Sequence, residues 1–310
     1  MDQQIAAWSR YKKVKVLGAG ATGQVYLVET SQSLSPSIPA GQYVIKRICI
    51  ASSPEILKSA ATEVKILEQL EAHDNLVRYY EHFFDDDGMI NIVMEHCQGG
   101  DLETYLKDNA ASGAFSPSEA VHFAFQLFAA VLHLHKHGVL HRDLKPANVL
   151  LSTAPSSADG VRRTMLKVSD FGISRVLERT ASIAQTVVGT PFYMGPELCN
   201  GEAYTFAADM WSLGCILYEL ASGGQRCFGG ATLLAVVRAV CEGVIPPIAD
   251  PMRAKLFMPM ITPLIQVDPS KRFSAEDCMR AFFLPDPEDS NIEDEFIDPD
   301  DADDLEAALG

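Results

Sequence analysis

The segment His-Arg-Asp-Leu-Lys-Pro-Ala-Asn at residues 141–148 constrains this chain more than any other part of it. Asp143 can accept a proton from a hydroxyl group, and Lys145 and Asn148 follow it within the same segment. A carboxylate, a cation and an amide at this spacing can hold an alcohol, a phosphoryl group and a metal ion close together. Asp170, which opens an Asp-Phe-Gly sequence, supplies a second carboxylate for the same chemistry.

The composition predicts a globular protein with an acidic C-terminal tail. Of the 310 residues, 47% are hydrophobic and 21% are charged, which is enough to bury a substantial core. The formal charge is −16, but residues 285–310 contain 12 acidic and no basic residues. Residues 1–284 therefore carry 25 basic and 29 acidic residues, a net charge of only −4. A body this close to neutral argues against nucleic acid as a partner.

Cysteine usage and the N-terminus predict a soluble intracellular protein. The seven cysteines include no Cys-x-x-Cys pair, and no histidines stand at metal-binding spacing, so neither a disulfide framework nor a zinc site is indicated. The first residues lack the pattern of a signal peptide, and no apolar run approaches the roughly 18 residues that a membrane span requires.

A glycine cluster near the N-terminus is flanked by two segments that alternate apolar and polar residues. The pattern predicts a hairpin whose tip carries Gly18, Gly20 and Gly23. Without side chains there, backbone amides can approach phosphate oxygens. The glycine pattern alone can equally be a plain turn, but the β-rich sequence after it disfavours a dinucleotide-binding helix.

The next segments predict a strand, a helix and a strand pair. The strand Tyr43–Lys46 ends in a lysine that, in isolation, would be interpreted as a solvated edge charge. Apolar residues recur at helical spacing over residues 54–70, with Glu63 near the middle. Residues 79–84 and 89–95 predict two strands around an Asp-Asp-Asp-Gly turn, and the chain from residue 102 onwards is mainly helical.

The order of these motifs resembles the catalytic core of eukaryotic protein kinases. Gly195-Pro-Glu197, the segment Asp209-Met-Trp-Ser-Leu-Gly214 and Arg272 follow in the order expected of a kinase C-terminal lobe. The resemblance covers residues 11 to about 283. Lys145 after the catalytic-type aspartate, and Thr190 in Gly-Thr-Pro-Phe-Tyr, resemble the serine/threonine branch.

Finer motifs are similar to those of the NIMA-related kinases. They include Gly41-Gln-Tyr-Val-Ile-Lys, Gln98-Gly-Gly-Asp-Leu, Asp170-Phe-Gly-Ile-Ser-Arg-Val-Leu, Val188-Gly-Thr-Pro-Phe-Tyr-Met and Pro196-Glu-Leu-Cys. Three features depart from that pattern. Gly195 replaces the usual alanine or serine and is expected to loosen its segment, residues 152–163 form a long insertion, and no long coiled coil follows the domain. Regulation by dimerisation through such a region is therefore unsupported.

The resemblance implies an α+β, bilobal kinase fold. Residues 1–10 would be an N-terminal extension and 11–284 the kinase domain. Within the domain, the β-rich N-lobe with one key helix would cover residues 11–95, the hinge about 95–101 and the mainly helical C-lobe 102–284. Residues 285–310 are too acidic and too poor in apolar residues to fold alone.

The resemblance also implies ATP as substrate and Mg²⁺ or Mn²⁺ as the metal. Asp143 would orient the substrate hydroxyl and Lys145 would contact the γ-phosphate. Lys46, paired with Glu63 on the helix, would contact the α- and β-phosphates, although Glu68 and Glu71 compete with Glu63 for that role. The expected metal ligands are Asn148 and Asp170. His141 and Phe171 would act as structural supports.

The expected ATP pocket combines the glycine loop, residues on the strands and the hinge. Adenine would bond to the backbone of Glu95 and Cys97, with Met94 behind it, while Asp101 could contact ribose, cap the next helix, or do both. The implied pocket residues are Gly18, Ala19, Gly20, Gly23, Val25, Val44, Lys46, Met94, Glu95, Cys97, Asp101 and Leu150. Glu197 and Arg272 are the expected buried ion pair of the C-lobe.

Regulation is expected in the segment between residues 170 and 197. Thr186, four residues before Thr190, matches the position that is phosphorylated in related kinases, and Arg142 is the natural cation for a phosphate there. An upstream kinase or autophosphorylation would supply that phosphate. Ile173 predicts a threonine acceptor in substrates, and the family resemblance implies an apolar residue three positions before it.

The tail and the cellular address leave alternatives open. Residues 285–310 either keep the protein soluble or serve as a docking or autoinhibitory strip around Phe296 and Ile297, and Ser290 suits an acid-directed kinase. The family implies a cytoplasmic protein, with association to the centrosome or the ciliary or flagellar basal body.

Two other functions compete with that of an active protein kinase. A pseudokinase would lack at least one of Lys46, Asp143, Asn148 and Asp170, and all four are present. A kinase acting on small molecules would not need the peptide-docking platform that the Gly195-Pro-Glu197 segment and Thr190 provide.

Overall fold

The computed structural model describes residues 8–20, 23–49, 64–110, 116–153, 164–171 and 191–284. The chain divides into two compact units, and the first of them contains Met1–Gly100, His137–Asp143 and Leu150–Thr190. The second contains Asp101–Lys136, Leu144–Val149 and Pro191–Gly310.

A five-stranded antiparallel sheet forms the body of the first unit. Its strands are β1 (Lys12–Gly20), β2 (Gly23–Thr30), β3 (Gly41–Cys49), β4 (Tyr79–Phe84) and β5 (Met89–Glu95), and their order in the sheet is β1-β2-β3-β5-β4. The first three strands are joined in sequence order, while β5 comes between β3 and β4. The strand lysine of β3 therefore lies in the middle of the sheet.

One face of this sheet carries the hydrophobic core. Because side chains alternate along a strand, Tyr43 and Ile45 of β3 lie on the same face, with Tyr26 and Val28 of β2 and Val93 of β5 buried in the same cluster. Phe83, Tyr11 and Ile38 complete it. The alternate residues of the same strands, Val44 and Lys46 among them, lie on the opposite face.

Residues just before β1 are fastened to β4. The Trp8 ring meets those of Tyr26 and Phe83 edge to face at 5.8 and 5.7 Å between ring centroids. The guanidinium of Arg10 lies 2.7 Å from the Glu81 carboxylate, which also accepts a hydrogen bond from the Tyr11 hydroxyl at 2.9 Å. The described end of the N-terminal extension thus packs on the sheet.

A two-stranded sheet, β6 (Val149–Thr153) with β7 (Thr164–Val168), lies largely within the first unit. The N–H of Val77 donates to the carbonyl of Val168 at 2.9 Å, and the N–H of Val168 donates to that of Asn75 at 2.9 Å. These bonds explain why residues 150–171, which the sequence assigned to the C-lobe, belong to the first compact unit. The helix α1, of which residues 64–69 are described, buries Val64 and Leu67.

The second unit is mainly helical. Its helices are α2 (Leu102–Ala110), α3 (Pro117–Lys136), α4 (Pro196–Cys199), α5 (Phe206–Ser222), α6 (Leu233–Glu242), α7 (Pro251–Ile261) and α8 (Ala275–Phe282). None of the helices in the described part of the chain is long and apolar enough to span a membrane. A β-rich unit followed by a helical one confirms the predicted α+β class.

The helix α5 is the centre of the second unit, with residues 208–221 all buried. Its Asp209 accepts hydrogen bonds from the Tyr204 hydroxyl at 2.6 Å and pairs with His135 of α3 at 3.0 Å. Trp211 stacks on Phe228 at 5.2 Å between ring centroids. His135 is therefore a structural residue of the helical core.

A buried ion pair joins α4 to the segment before α8. Two nitrogens of Arg272 lie 2.6 and 2.7 Å from the two carboxylate oxygens of Glu197, and both residues are buried. Removing one partner of such a pair costs about 3–5 kcal/mol because it leaves an uncompensated charge. A Cβ atom at Gly195 would lie 2.5 Å from a Glu197 oxygen, so this glycine leaves room for the carboxylate.

Candidate active site

The sheet register brings several predicted pocket residues onto one face. Lys46 stands directly opposite Val25 on β2, which in turn is paired with Gly18 on β1. Val44, two residues before Lys46, is paired with Met94 on β5. Opposite residues of antiparallel strands project from the same face. Valines, a methionine and a lysine therefore lie together on the face away from the aromatic core.

Gly23 begins β2 where two strands approach closely. A Cβ atom on it would lie 1.9 Å from the carbonyl oxygen of Arg47 on β3, so no other residue fits without moving the backbone. At Gly18, by contrast, a Cβ atom would meet nothing within 4 Å. The last glycine of the motif is thus required by strand packing, whereas the first has open space around it.

An ion pair joins the strand lysine to the Asp-Phe-Gly aspartate. The Nζ atom of Lys46 lies 2.7 Å from Oδ1 of Asp170, across 124 residues of sequence. Asp170 has a φ of 60°, in the left-handed region that residues other than glycine seldom occupy. Its side chain is 35% exposed while that of Lys46 is 17% exposed, so the carboxylate keeps an accessible edge.

The loop carrying Asp143 is braced by a buried histidine. His141 is fully buried, and its Nδ1 atom accepts a hydrogen bond from the N–H of Asp143 at 3.3 Å. Between them, Arg142 has a φ of 73°, a second left-handed non-glycine residue. Asp143 itself is exposed. Lys46, Asp143 and Asp170 all belong to the first unit.

Lys145 and Asn148 lie in the second unit, at a short 3₁₀ helix spanning Pro146–Asn148. The N–H of Asn148 donates to the carbonyl of Lys145 at 2.9 Å, which closes the turn. Pro146 starts it because its fixed φ suits a first helical position. Asn148 is buried and Lys145 half-buried.

The predicted hinge begins where β5 ends. The N–H of Glu95 donates to the carbonyl of Arg78 at 2.9 Å, and a Glu95 carboxylate oxygen accepts the N–H of Arg78 at 3.2 Å. Burial, with the charge of Glu95 second, raises the pKa of the Cys97 thiol to about 12. Cys97 is therefore neutral at physiological pH.

Asp101 caps α2, one of the two roles expected for it. Its carboxylate accepts the N–H of Thr104 at 2.8 Å and the Thr104 hydroxyl at 3.1 Å. Leu150, one of the implied pocket residues, lies on β6 and is half-buried. Phe171 is 6% exposed and lines a cavity of about 500 Å³. The rest of the lining comes from two segments, residues 67–73 at the end of α1 and residues 76–82.

Several predicted residues lie outside the described part of the chain. They are Glu63, Ile173, Thr186, Thr190, residues 154–163 of the insertion and the tail from residue 285. Ala19 and Gly20 lie at the end of β1, paired with Gln24 and Gly23.

A buried carboxyl beside the Pro-Phe-Tyr segment was not predicted from the sequence. Glu219 of α5 accepts a hydrogen bond from the Tyr193 hydroxyl at 2.7 Å, and the Tyr193 carbonyl accepts one from Ser212 at 2.7 Å. Burial raises the pKa of Glu219 to about 7, against the opposing effects of the Tyr193 hydrogen bond and the charge of Arg226. Helical spacing predicts that Glu219 faces the core, but no local pattern names its partner.

The comparisons with known proteins show the family of the chain. Residues 11–284 match the family described as protein kinase domain, and the chain belongs to that family. Members of this class use ATP together with Mg²⁺.

Curated relatives place the chain near one branch of the family. It is 36% identical over 271 residues to serine/threonine-protein kinase Nek8 of Danio rerio, an alignment that covers 87% of this chain and 36% of that protein. Serine/threonine-protein kinase Nek4 of Mus musculus is 36% identical over 277 residues, covering 88% of this chain and 32% of the relative.

A third relative, serine/threonine-protein kinase nekl-2 of Caenorhabditis elegans, is 35% identical over 247 residues, or 77% of this chain and 65% of that protein. The predicted resemblance to NIMA-related kinases is confirmed by these names. The chain spans about a third of the length of the first two relatives.

Glu219 should make the stability of the protein depend on pH. Its pKa is about 7 in the folded protein, against 4.5 ordinarily, so between those values the unfolded chain releases a proton that the folded protein keeps. The free energy of unfolding should therefore fall as the pH rises from about 4.5 to 7, by at most about 3 kcal/mol, and then level off. Chemical denaturation at pH 5, 6, 7 and 8 measures it.

The Glu219→Gln variant provides the comparison, because its amide oxygen can still accept the Tyr193 hydroxyl. Its unfolding free energy minus that of the original protein should increase across the same pH interval. Tyr193→Phe removes a bond that favours the charged carboxylate, and should move the midpoint of the effect to higher pH. An identical pH dependence in the original protein and Glu219→Gln would rule out this carboxyl as the source.

Proposed function

We propose that this chain is an ATP-dependent protein kinase that transfers the γ-phosphoryl group of ATP to serine or threonine hydroxyls of proteins. The observation that carries the proposal is the 2.7 Å contact between Lys46 and Asp170. It joins, in one compact unit, a strand lysine suited to phosphate and a carboxylate suited to a metal. The names of the curated relatives support the serine/threonine acceptor.

Each candidate residue has a role that its chemistry supports. Asp143 orients the substrate hydroxyl and accepts its proton. Lys46 neutralises the α- and β-phosphates, and Lys145 the γ-phosphate. In the transfer, the hydroxyl oxygen forms a bond to the γ-phosphorus, the bond from that phosphorus to the oxygen bridging to the β-phosphate breaks, and ADP leaves with the electron pair. Glu63 is proposed to orient Lys46.

Asp170 and Asn148 are proposed as magnesium ligands because their side chains offer the oxygen donors that this ion prefers. Mg²⁺ is usually held by one or two carboxylates and by substrate phosphates. Asp170 has a partly exposed carboxylate, and Lys46 already places a positive charge beside it. When bound, the metal supplies charge neutralisation on the phosphate oxygens. Mn²⁺ has similar ligand preferences and is the proposed substitute.

The nucleotide base is proposed to bind along the end of β5. Glu95 and Cys97 would offer backbone groups to adenine, and Met94 would lie behind the base. Gly18, Val25 and Val44 would cover it from the sheet, with Leu150 on β6 completing the apolar contact. The shared face of Val25, Val44 and Lys46 supports this arrangement.

Asp143→Asn should strongly slow phosphoryl transfer while leaving nucleotide binding intact. The amide keeps the size of the side chain but cannot accept the hydroxyl proton, so kcat should fall by about 10²–10⁴ with little change in the affinity for ADP. A radiolabelled transfer reaction on a Ser/Thr peptide library measures kcat, and calorimetry measures the affinity. Asp74→Asn, which changes an exposed aspartate of the first unit outside the site, is the matched control. Undiminished turnover in Asp143→Asn would contradict the assignment.

We further propose that phosphorylation of Thr186, by an upstream kinase or by the protein itself, activates the enzyme. Arg142 supports this proposal because it lies beside the catalytic aspartate, and a guanidinium binds phosphate through two hydrogen bonds. Through Arg142, a phosphate on Thr186 would then be bonded to the loop that carries Asp143.

Thr186→Ala should lower kcat by about tenfold or more in protein that has been treated with an activating kinase or with ATP. Mass spectrometry should find phosphate on Thr186 in the original protein. Thr180→Ala, a neighbouring threonine in the same segment, serves as the control and should keep its activity. If Thr186→Ala matched the fully phosphorylated original protein in turnover, Thr186 would not be the switch.

Substrate choice and cellular address extend the same proposal. Ile173 favours threonine as acceptor, and an apolar residue is proposed three positions before it. A cytoplasmic location, with association to the centrosome or the ciliary or flagellar basal body, is proposed from the family resemblance. The peptide library above reads out the acceptor and its preceding residues, and a basic preference would contradict the apolar one.

A further inference from the structure

A partly buried ion pair fastens the last residue of β5 to β7. The Nζ atom of Lys167 lies 3.0 Å from Oε2 of Glu95, with the two side chains 12% and 23% exposed. Surface pairs contribute little to stability because water screens them. This pair is better shielded than such surface pairs, and it stands beside the backbone that the proposed function assigns to adenine.

Glu95 is held by its backbone as well. Its N–H donates to the carbonyl of Arg78 at 2.9 Å, and the oxygen that pairs with Lys167 also accepts the N–H of Arg78 at 3.2 Å. The N–H of Glu95 already donates to Arg78. The carbonyl oxygen is therefore the backbone group of Glu95 that can accept a hydrogen bond from the amino group of adenine. The backbone and the side chain of Glu95 are thus both bonded to Arg78, and the same carboxylate oxygen pairs with Lys167.

The other end of the hinge is attached to the same two-stranded sheet. The N–H of Gly99 donates to the carbonyl of Leu151 at 2.8 Å, and the N–H of Leu151 donates to that of Gly100 at 2.9 Å. Leu151 lies on β6 and Lys167 on β7, and the two strands pair. Residues 95–100 are therefore held at both ends by the β6–β7 sheet.

The same strand leads to the proposed metal ligand. Lys167 precedes Asp170 by three residues, and the next residue, Val168, is bonded to Val77 and Asn75. Both charges also affect the pKa of the Cys97 thiol in the hinge, since Glu95 raises it and Lys167 lowers it. Base-contacting and metal-binding groups are thus linked through one short strand.

We propose that Lys167 is a positioning residue for the nucleotide base: through its ion pair with Glu95 it fixes the Glu95 carbonyl toward the 6-amino group of adenine. The inference deepens the proposed function and rests on it. It predicts that Lys167 affects selection of the base more than the chemical step.

The test compares ATP with purine riboside triphosphate, which lacks the 6-amino group. Calorimetry with Mg²⁺ present gives both dissociation constants. The original protein should prefer ATP by about tenfold, the equivalent of one hydrogen bond. Lys167→Met should reduce that preference at least fivefold, raise KM for ATP and change kcat less than twofold. Lys167→Arg retains the charge and should restore the preference.

Two matched variants separate positioning from general stability. Glu95→Gln removes the other charge and should reduce the preference in the same way. Lys107→Met, at an exposed lysine whose partner is Glu103 on α2, should behave like the original protein. If Lys167→Met and Glu95→Gln weaken both nucleotides equally, or lower only the melting temperature, the pair is structural and the inference is wrong.

Failure of the inference is distinguishable from failure of the proposed function. A wild-type preference for ATP that persists in Lys167→Met overturns the inference and leaves the kinase assignment standing. A wild-type protein that binds neither nucleotide and transfers no phosphate overturns both.

Discussion

The contact between Lys46 and Asp170 is the interaction on which the candidate site depends. Burying a lysine in the middle of a sheet costs free energy unless an anion pairs with it. Here the anion comes from a residue 124 positions away, held in a left-handed backbone conformation. The two groups place a cation and a partly exposed carboxylate side by side, an arrangement that suits the proposed binding of a phosphate and its metal.

The sheet register and the short β7 strand make that contact possible. The alternate residues of the same strand, Tyr43 and Ile45, belong to the aromatic core on the face opposite to Lys46. Two backbone hydrogen bonds, with Asn75 and Val77, hold Val168 of β7 two residues before Asp170. In the second unit, buried charges are likewise met by partners, as Arg272 meets Glu197 and Asp209 meets His135 and Tyr204.

The sequence pattern was enough to predict the strands and helices named below and to identify the residues of recognisable motifs. The strands at 79–84 and 89–95 have the predicted bounds because alternation and an Asp-Asp-Asp-Gly turn mark them, and a helix begins at Leu102, where the chain was predicted to become mainly helical. Without the motifs that follow it, Lys46 would have been interpreted as a solvated charge at the edge of a strand.

The sequence could not reveal contacts between distant residues that belong to no motif. Glu95 and Lys167 are 72 residues apart, and neither position differs in pattern from its neighbours. Glu219 looks like any polar residue of a helix until Tyr193 is found beside it. The assignment of residues 150–171 to the first unit depends on hydrogen bonds to Asn75, Val77 and Gly99, which no periodicity encodes. Gly195, expected to loosen its segment, instead accommodates the Glu197 carboxylate.

The most direct measurement is a double-mutant cycle on the affinity for Mg²⁺-bound ADP, using Lys46→Met, Asp170→Asn and the double variant, with Lys12→Met as an exposed control. If the two residues serve one phosphate and its metal, each single change should weaken binding about tenfold or more. The double variant should be weaker than either single variant by much less than the product of their effects. Affinities unchanged by both single variants, or effects that simply multiply, would contradict the account.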